Sequence, residues 1–493
     1  MKEKLTMIEL FSGIGAQIKG TNNTNLFDTN VIITADIDKD AMVSYAAIHN
    51  GLTNEMIKKY KNYPSEEQMK MELLDKNIGY DFKKGTNPIS RIKGNKLKKY
   101  YLAMVLSNNL GDISKIKSLP YADFWTYSFP CQDLSIAGKG AGIKEGTRSG
   151  LLFEVERLLE IAVVQNAEPK YLLLENVKNL VGEKNKPDFD RWISKLSELG
   201  YNTYWEVVNG KNCGIPQNRE RVFAVSIRKD VDTGLFEFNK SFDFGYRLRD
   251  FLEDIVDEKY YLSQEVQDRL QITDETFTKN IVGTTKPNFR TIGQRDLVYQ
   301  KDSIMGALVA TDYKQPKQIL EDPNELKQAM TLSGGKWDKI NESCRRVYSE
   351  DGIAPTLHTC GGGNTEPKVV FEERRDEGVR LFKGDYVGTL RTIDSCGDKR
   401  VAEYVDGKRA VRKLTPKECW RLMGFADDDY EKALAVGLSD SAGYKQAGNS
   451  IITYCIMLIM EHLYKAQYDN TYICSDERIL NGEDVNFTLP QVV

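Results

Sequence analysis

Three reactive residue types in this sequence each follow a strand-like apolar run. Cys131 stands in Tyr127-Ser128-Phe129-Pro130-Cys131-Gln132, after a run that stops at Phe129-Pro130 and before the glycine-rich stretch Gly138–Gly142. That setting predicts a thiol at the mouth of a sheet, where cysteines serve as nucleophiles, rather than a small core residue. The chain holds only three histidines, His49, His358 and His462, and none offers an obvious partner for a cysteine-protease arrangement. Addition of a thiolate to carbon 6 of a pyrimidine needs no histidine. It needs the ring made electron-poor, by an acid at N3 and a cation at O2. Glu175, closing the apolar run Tyr171–Leu174, has the chemistry of the acid. Arg219 or Arg221, in Gln217-Asn218-Arg219-Glu220-Arg221, has that of the cation. A core thiol, a capping glutamate and a pair of surface arginines are the plain alternatives, and the three together are far more specific than any one.

A second cluster precedes these. The strand pattern Thr6–Leu10 runs into Phe11-Ser12-Gly13-Ile14-Gly15, a turn whose glycines let backbone approach a ligand. The next strand, Val31–Ala35, ends in Asp36 and Asp38, placed to accept hydrogen bonds from ribose hydroxyls. Gln17-Ile18 stand where a dinucleotide fingerprint would carry its third glycine, which disfavours a nicotinamide cofactor.

The elements that must position these residues alternate in type. Strands are expected at Thr6–Leu10, Val31–Ala35, Asp123–Tyr127, Tyr171–Leu174, Tyr201–Val208 and Arg221–Ile227. Helices are expected at Leu151–Val163 and Asp188–Leu199, the latter with Trp192, Leu196 and Leu199 on one face and Gly200 as its stop. This rhythm predicts an α/β fold with a doubly wound, mostly parallel sheet, which binds ligands at the carboxyl ends of its strands. Residues 1–228 form the expected catalytic domain. Within it, 52–110 is an insertion with twelve basic and six acidic residues, either a solvated helical segment or an arm that contacts phosphates. From 229 to 410 the pattern turns β- and loop-rich. There Val298-Tyr299-x-x-Asp302-x-Ile304 recurs 49 residues later as Val347-Tyr348-x-x-Asp351-x-Ile353, which suggests a small domain built from two similar units. Residues 411–493 return to helices, through Pro416–Met423 and Ile451–Tyr464.

Composition narrows the class. Lys and Arg number 68 against 72 Asp and Glu, a net charge of −4, which excludes a globally basic nucleic-acid coat but not a local basic cleft. None of the eight cysteines forms a C-x2-C pair, so a zinc site, or any metal site, and a disulfide framework are not expected. No signal peptide opens the chain, and the longest mostly apolar run, Ile451–Met460, is too short to span a bilayer. A cytoplasmic, soluble protein is the expectation.

These residues, in this order, resemble the DNA cytosine-5 methyltransferase family of bacteria and phages, over nearly the whole chain. Ile8–Gly15 is similar to the family's first motif and Gly111-Asp112-Ile113 to its third. Phe129-Pro130-Cys131-Gln132 is similar to the nucleophile motif, Glu175-Asn176-Val177 to the glutamate motif and Gln217–Arg221 to the Gln-x-Arg-x-Arg motif. Arg412 through Phe425 resembles the ninth motif, and Gln446-Ala447-Gly448-Asn449-Ser450 the last. The resemblance implies a Rossmann-like domain that binds S-adenosyl-L-methionine, with a smaller target-recognition domain at 229–410. It implies Cys131, Glu175, Arg219 and Arg221 as the catalytic set. It implies a cofactor pocket of Phe11, Gly13, Gly15, Asp36, Ile37, Asp112, Ile113, Pro130, Leu151, Asn449 and Ser450. Gln132, Ser135 and Arg412 would face DNA.

The implied partner is double-stranded DNA, bound by a monomer that flips the target base out of the stack. A restriction endonuclease acting separately on the same sequence is the further partner expected if the enzyme is not a phage orphan. Ile37 departs from the pattern, since many members place an aromatic residue there. Three other readings compete. A tRNA methylase is disfavoured by the large 229–410 segment, and a non-catalytic DNA-binding regulator by the presence of Cys131, Glu175 and Arg221. An amino-methylating enzyme would need an Asn/Asp/Ser-Pro-Pro-aromatic tetrapeptide, which the chain lacks.

Overall fold

The structure is a computed structural model. It describes residues 2–82, 84–130, 150–239, 246, 248–253, 256–260 and 415–475, together with the backbone of eight short strands between 281 and 413. Its centre is a six-stranded sheet of β1 (Glu3–Leu10), β2 (Phe27–Ala35), β3 (Phe124–Tyr127), β4 (Tyr171–Val177), β5 (Tyr201–Asn209) and β7 (Glu220–Arg228). The two-residue strand β6 (Gln217–Asn218) lies outside it. The order is β2-β1-β3-β4-β7-β5. Pairings from β2 to β4 are parallel, whereas β7 enters antiparallel between β4 and β5. The sheet is therefore mixed at this edge, which strand periodicity alone does not reveal.

Alternation along the strands makes two cores. Leu5 and Met7 of β1, Tyr171 and Leu173 of β4, and Phe223, Val225 and Ile227 of β7 pack on one face. Ile8 and Leu10, Leu172 and Leu174, and Val222 and Ala224 pack on the other. The β1–β2 register shifts where Met7 pairs with Val31 and Ile8 with Ile33. This bulge lets Val31 join the first core and Ile33 and Ala35 the second.

Helices cover both faces. On one side lie α1 (Ala16–Asn23) and the last helix, Thr453–Tyr468. They approach so closely that a Cβ on Gly20 would stand 2.5 Å from Ile456 Cβ and from the Thr453 carbonyl oxygen. On the other lie α6 (Leu151–Val164) and α7 (Lys186–Glu198). In α7, Phe189, Trp192, Ile193 and Leu196 fall at i, i+3, i+4 and i+7 and are all buried. Truncating Trp192 to Ala would cost about 3–5 kcal/mol. The helix ends at Glu198, with Leu199 as its C-cap and Gly200 in left-handed backbone at φ +94°.

The insertion is helical and has its own core. α2 (Lys39–His49) is followed by α3 (Asn54–Lys59), α4 (Glu66–Asp75) and α5 (Gly94–Leu106). Ile57, Met69, Leu73, Leu97 and Tyr100 pack with Met42, Val43 and Ala46 of α2. After residue 414 come α8 (Pro416–Arg421), α9 (Asp427–Ala435), α10 (Asp440–Asn449) and α11 (Thr453–Tyr468). Among the described residues no helix is long and apolar enough to cross a membrane.

The two copies of the sequence repeat share a strand arrangement. Val298-Tyr299 lies on β9 (Leu297–Gln300) and Val347-Tyr348 on β12 (Arg346–Ser349). β9 pairs antiparallel with β8 (Ile281–Thr284) and parallel with β10 (Gln318–Leu320). β12 pairs antiparallel with β11 (Gln328–Thr331) and parallel with β14 (Lys368–Phe371). The register shifts at the matching place in both antiparallel pairs. The remaining repeat positions, Asp302, Ile304, Asp351 and Ile353, lie outside the described residues. Two further strands, β13 (Ala354–Pro355) and β15 (Ala410–Lys413), pair with β6 and β14.

Candidate active site at the carboxyl edge of the sheet

At the end of β1 the chain turns sharply, with Phe11, Gly13 and Gly15 all in left-handed backbone. A Cβ on Gly13 would stand in open space, so the turn presents backbone to whatever occupies that space. Gly15, which starts α1 without a side-chain cap, is packed against His49 and Tyr45. Glu9, fully buried in β1, supplies the missing cap by accepting from Ile18 N at 2.9 Å, and accepts from Tyr45 Oη at 2.5 Å. Burial pushes the Glu9 carboxyl up to about 7, against the lowering effect of those two bonds.

The turn is tied to the end of β2. Gly13 N donates to Asp36 Oδ2 at 2.8 Å, and Asp38 N to Asp36 Oδ1 at 2.7 Å. Burial, then the charge of Asp38, push Asp36 up to about 6, with these N–H bonds and Lys445 opposing. Burial also favours neutral Asp38, but Lys445, 2.5 Å from its Oδ2, and the Ala41 and Asp40 amides outweigh it and hold the carboxyl below its ordinary value. Next to these, Ile37 O accepts from Gly79 N at 2.7 Å. Asp112 Oδ1 accepts from Ser114 N and Oγ, and Oδ2 from Asn77 Nδ2 at 2.7 Å. Ile113 is buried beside it, and Leu151, at the start of α6, is half-buried.

Two strands along lies the second cluster, a spacing of roughly 10 Å. β3 leads to Phe129-Pro130, and Asn176 Nδ2 donates to Phe129 O at 3.0 Å, fastening this segment to the end of β4. Cys131, Gln132 and Ser135 lie outside the described residues. Glu175 is 8% exposed, and Arg221 Nε stands 3.3 Å from its Oε1. The register explains the meeting: Glu175 pairs with Phe223 and Val177 with Arg221, so Glu175 and Arg221 are diagonal neighbours on one face. Burial raises the Glu175 carboxyl above its ordinary value, with Arg221, Arg219 and a hydrogen bond from Ser128 opposing.

A family model for the C-5 cytosine-specific DNA methylases matches residues 76–465 of the chain. The chain belongs to that family. It is 30% identical over 467 residues to the type II methyltransferase M2.ScrFI of Lactococcus lactis subsp. cremoris, covering 94% of this chain and 100% of that one. It is also 30% identical over 571 residues to the orphan methyltransferase M.Rho11sI of Bacillus phage rho11s, covering 95% and 99%. A solved structure, the Entamoeba histolytica methyltransferase EhMeth, covers 94% of this chain and 99% of that one at a TM-score of 0.49 and 14% identity, a likeness that decides nothing further. The protein is thus a DNA cytosine-5 methyltransferase, and it acts on DNA.

The methylase separates its two motif arginines. Arg221 faces Glu175, whereas Arg219 is 4% exposed and donates from one terminal nitrogen to Gly448 O at 3.1 Å and Ser450 O at 2.7 Å. A cation at those carbonyls complements the C-terminal end of α10. Asn449, between them, is exposed, and Ser450 is buried. Arg412 lies on β15, opposite Val369 of β14. The sequence reading missed three positioning contacts: Asn77 on Asp112, Lys445 on Asp38 and Glu9 under the glycine turn. Asn77 comes from a stretch with no catalytic pattern, Lys445 stands one residue before the last motif, and Glu9 lies within the first, legible only as an acid out of place in an apolar strand.

Proposed function

We propose that the methylase transfers a methyl group from S-adenosyl-L-methionine to carbon 5 of a cytosine, within a specific sequence of double-stranded DNA, by covalent catalysis through Cys131. The observation that carries this reading is the buried Glu175 paired with half-buried Arg221 at the end of β4, tied by Asn176 to the segment that leads into Cys131. The open space before Gly13 and the carboxylates of Asp36 and Asp112 fit the cofactor. Asp36 would hold the ribose hydroxyls, since each of its oxygens keeps a lone pair beyond its backbone N–H bond. Ile37 and Ile113 would pack on the adenine, and Asp112 would accept from its amino group. Phe11, Gly15, Pro130, Leu151, Asn449 and Ser450 complete the pocket. When bound, the cofactor supplies a methyl group on a positively charged sulfur, the electrophile for carbon 5.

The target base leaves the stack at a cost of a few kcal/mol. Gln132, Ser135 and Arg412 contact the DNA, and 229–410 reads the sequence. A free thiol ionises near about pH 8.5, so Cys131 needs local stabilisation of its anion. The thiolate adds to carbon 6, and the electron pair of the 5,6-double bond moves toward carbon 5. Glu175 in its protonated form gives a proton to N3, and Arg221 donates to O2. Arg219 acts behind them, holding the end of α10. Once carbon 5 carries the methyl group, N3 returns its proton to Glu175, and loss of the carbon 5 proton to a base expels the sulfur as thiolate and restores the double bond. The methylase works as a monomer in the cytoplasm, either as the modification partner of a restriction endonuclease or as a phage orphan enzyme. Relatives named type II and orphan support those two settings.

Two measurements test this. Cys131→Ala should abolish transfer of labelled methyl to duplex DNA while leaving DNA binding intact, and transfer at the wild-type rate would overturn the mechanism. Bisulfite sequencing of DNA from expressing cells should show protected cytosines in one sequence context. Labelling of tRNA in place of DNA would defeat the substrate assignment.

A further inference from the structure

A cavity of about 590 Å3 lies between the basic insertion and the C-terminal helices, and among the described residues none given to the cofactor or to the base lines it. That volume is in the range of small-molecule sites. Among the described residues four lysines border it, Lys39, Lys58, Lys96 and Lys99, with Asp40 as the one acidic wall residue. Asp40 is already engaged, one oxygen with Lys39 Nζ and the other with Tyr100 Oη at 3.0 Å. Lys99 Nζ donates to Val436 O at 2.7 Å. Lys58 and Lys96 make no hydrogen bond or ion pair among the described residues, and both are exposed. Burial lowers the Lys99 ammonium from its ordinary value; Asp40 opposes the shift, and Lys96 and Lys39 add to it. Like charges held together this way are relieved by a bound anion.

The first turns of three helices border the same space: Lys39 and Asp40 open α2, Asn95 and Lys96 lie in the first turn of α5, and Ser439 caps α10. Asp38 already caps α2 and Glu66 accepts from Gly94 N at the start of α5, so the positive sign of the wall comes from its lysines. Asp440, just beyond Ser439, is occupied by Lys259 and Tyr260.

We propose that this cavity binds a phosphate-bearing ligand, supplied either by a free nucleotide or by the backbone of the substrate DNA flanking the target. The DNA source rests on the function proposed above, and the nucleotide source does not. The test uses the full-length protein and the double variant Lys58→Glu/Lys96→Glu, with Lys61→Glu/Lys70→Glu as a control outside the cavity. The probes are ATP, followed by calorimetry, and duplexes of 12 and 30 base pairs, followed by anisotropy across a salt series. For a nucleotide site, ATP binds the wild type and the control, and the double variant weakens it at least tenfold. For a DNA-backbone site, the double variant lowers affinity for the longer duplex alone, with a salt slope smaller by about two. ATP binding and duplex affinity both unchanged in the double variant, or an equal loss in the control, overturn the proposal. Methyl transfer to the 12-base-pair duplex, read in the same samples, reports separately on the proposed function.

Discussion

The carboxyl edge of the sheet is built in two different ways. On the β1–β2 side, backbone does the holding: a left-handed turn, N–H groups of Gly13 and Asp38 on Asp36, and a Gly79 amide on Ile37. On the β4–β7 side, two side chains from antiparallel neighbours meet as an ion pair, buried Glu175 with half-buried Arg221. Fixed dipoles suit a ligand that has only to be gripped and oriented. A carboxyl whose burial favours its protonated form, beside a guanidinium, suits a site where a proton must move.

Five substitutions would break or sharpen this contrast. Glu175→Gln should have the largest effect, lowering kcat by about 10²–10⁴-fold with the cofactor KM unchanged, because the amide has no proton to give at N3. Wild-type turnover would remove the proton-transfer role from that side. In the wild type, activity limited by protonated Glu175 falls as pH rises through its elevated pKa, and a pH–rate profile measures this.

The two arginines should then part in their readouts. Arg219→Met leaves the Gly448 and Ser450 carbonyls without their charged donor and should cost roughly 2–4 kcal/mol in denaturant unfolding. Arg221→Met should lower kcat with a much smaller change in stability. Equal losses of stability would show that both arginines are structural.

On the cofactor side, Glu9→Gln probes burial beneath the turn. The folded carboxyl, at about 7, lies above its ordinary value of 4.5, so its contribution is fully present below about 4.5 and lost as pH rises through 7. The Gln variant should match the wild type in acid and gain on it toward pH 8, by up to roughly 3 kcal/mol, from 2.5 units at about 1.4 kcal/mol each. A constant difference in Tm across that range would refute the buried charge. Asn77→Ala should have the smallest effect, a few-fold rise in cofactor KM with kcat and Tm nearly unchanged, since it removes one of three donors on Asp112.

Strand–turn units were legible because they are local. The expected strands all lie within observed ones or start a residue outside them, and Gly200 ends α7 as expected, since hydrophobic alternation and a left-handed glycine act over a few residues. The antiparallel entry of β7 was not legible, because pairing partners leave no mark on periodicity. Nor was the insertion's own core, whose residues read as weakly patterned until α2 closes over them.

The amino-acid order by itself determined which chemistry the chain carries: a thiol, an acid and two arginines, each at the end of an apolar run, and a glycine turn followed by acids. Those properties belong to side chains and short segments, and they survive without knowledge of distant contacts. Only the tertiary structure decided which arginine meets Glu175, since that depends on β7 registering against β4 while Arg219 reaches 229 and 231 positions along the chain to Gly448 and Ser450. It also brought Asn77 to Asp112 and Lys445 to Asp38. Such contacts are set by how the sheet and its covering helices pack, and a linear sequence leaves them open until a register has been chosen.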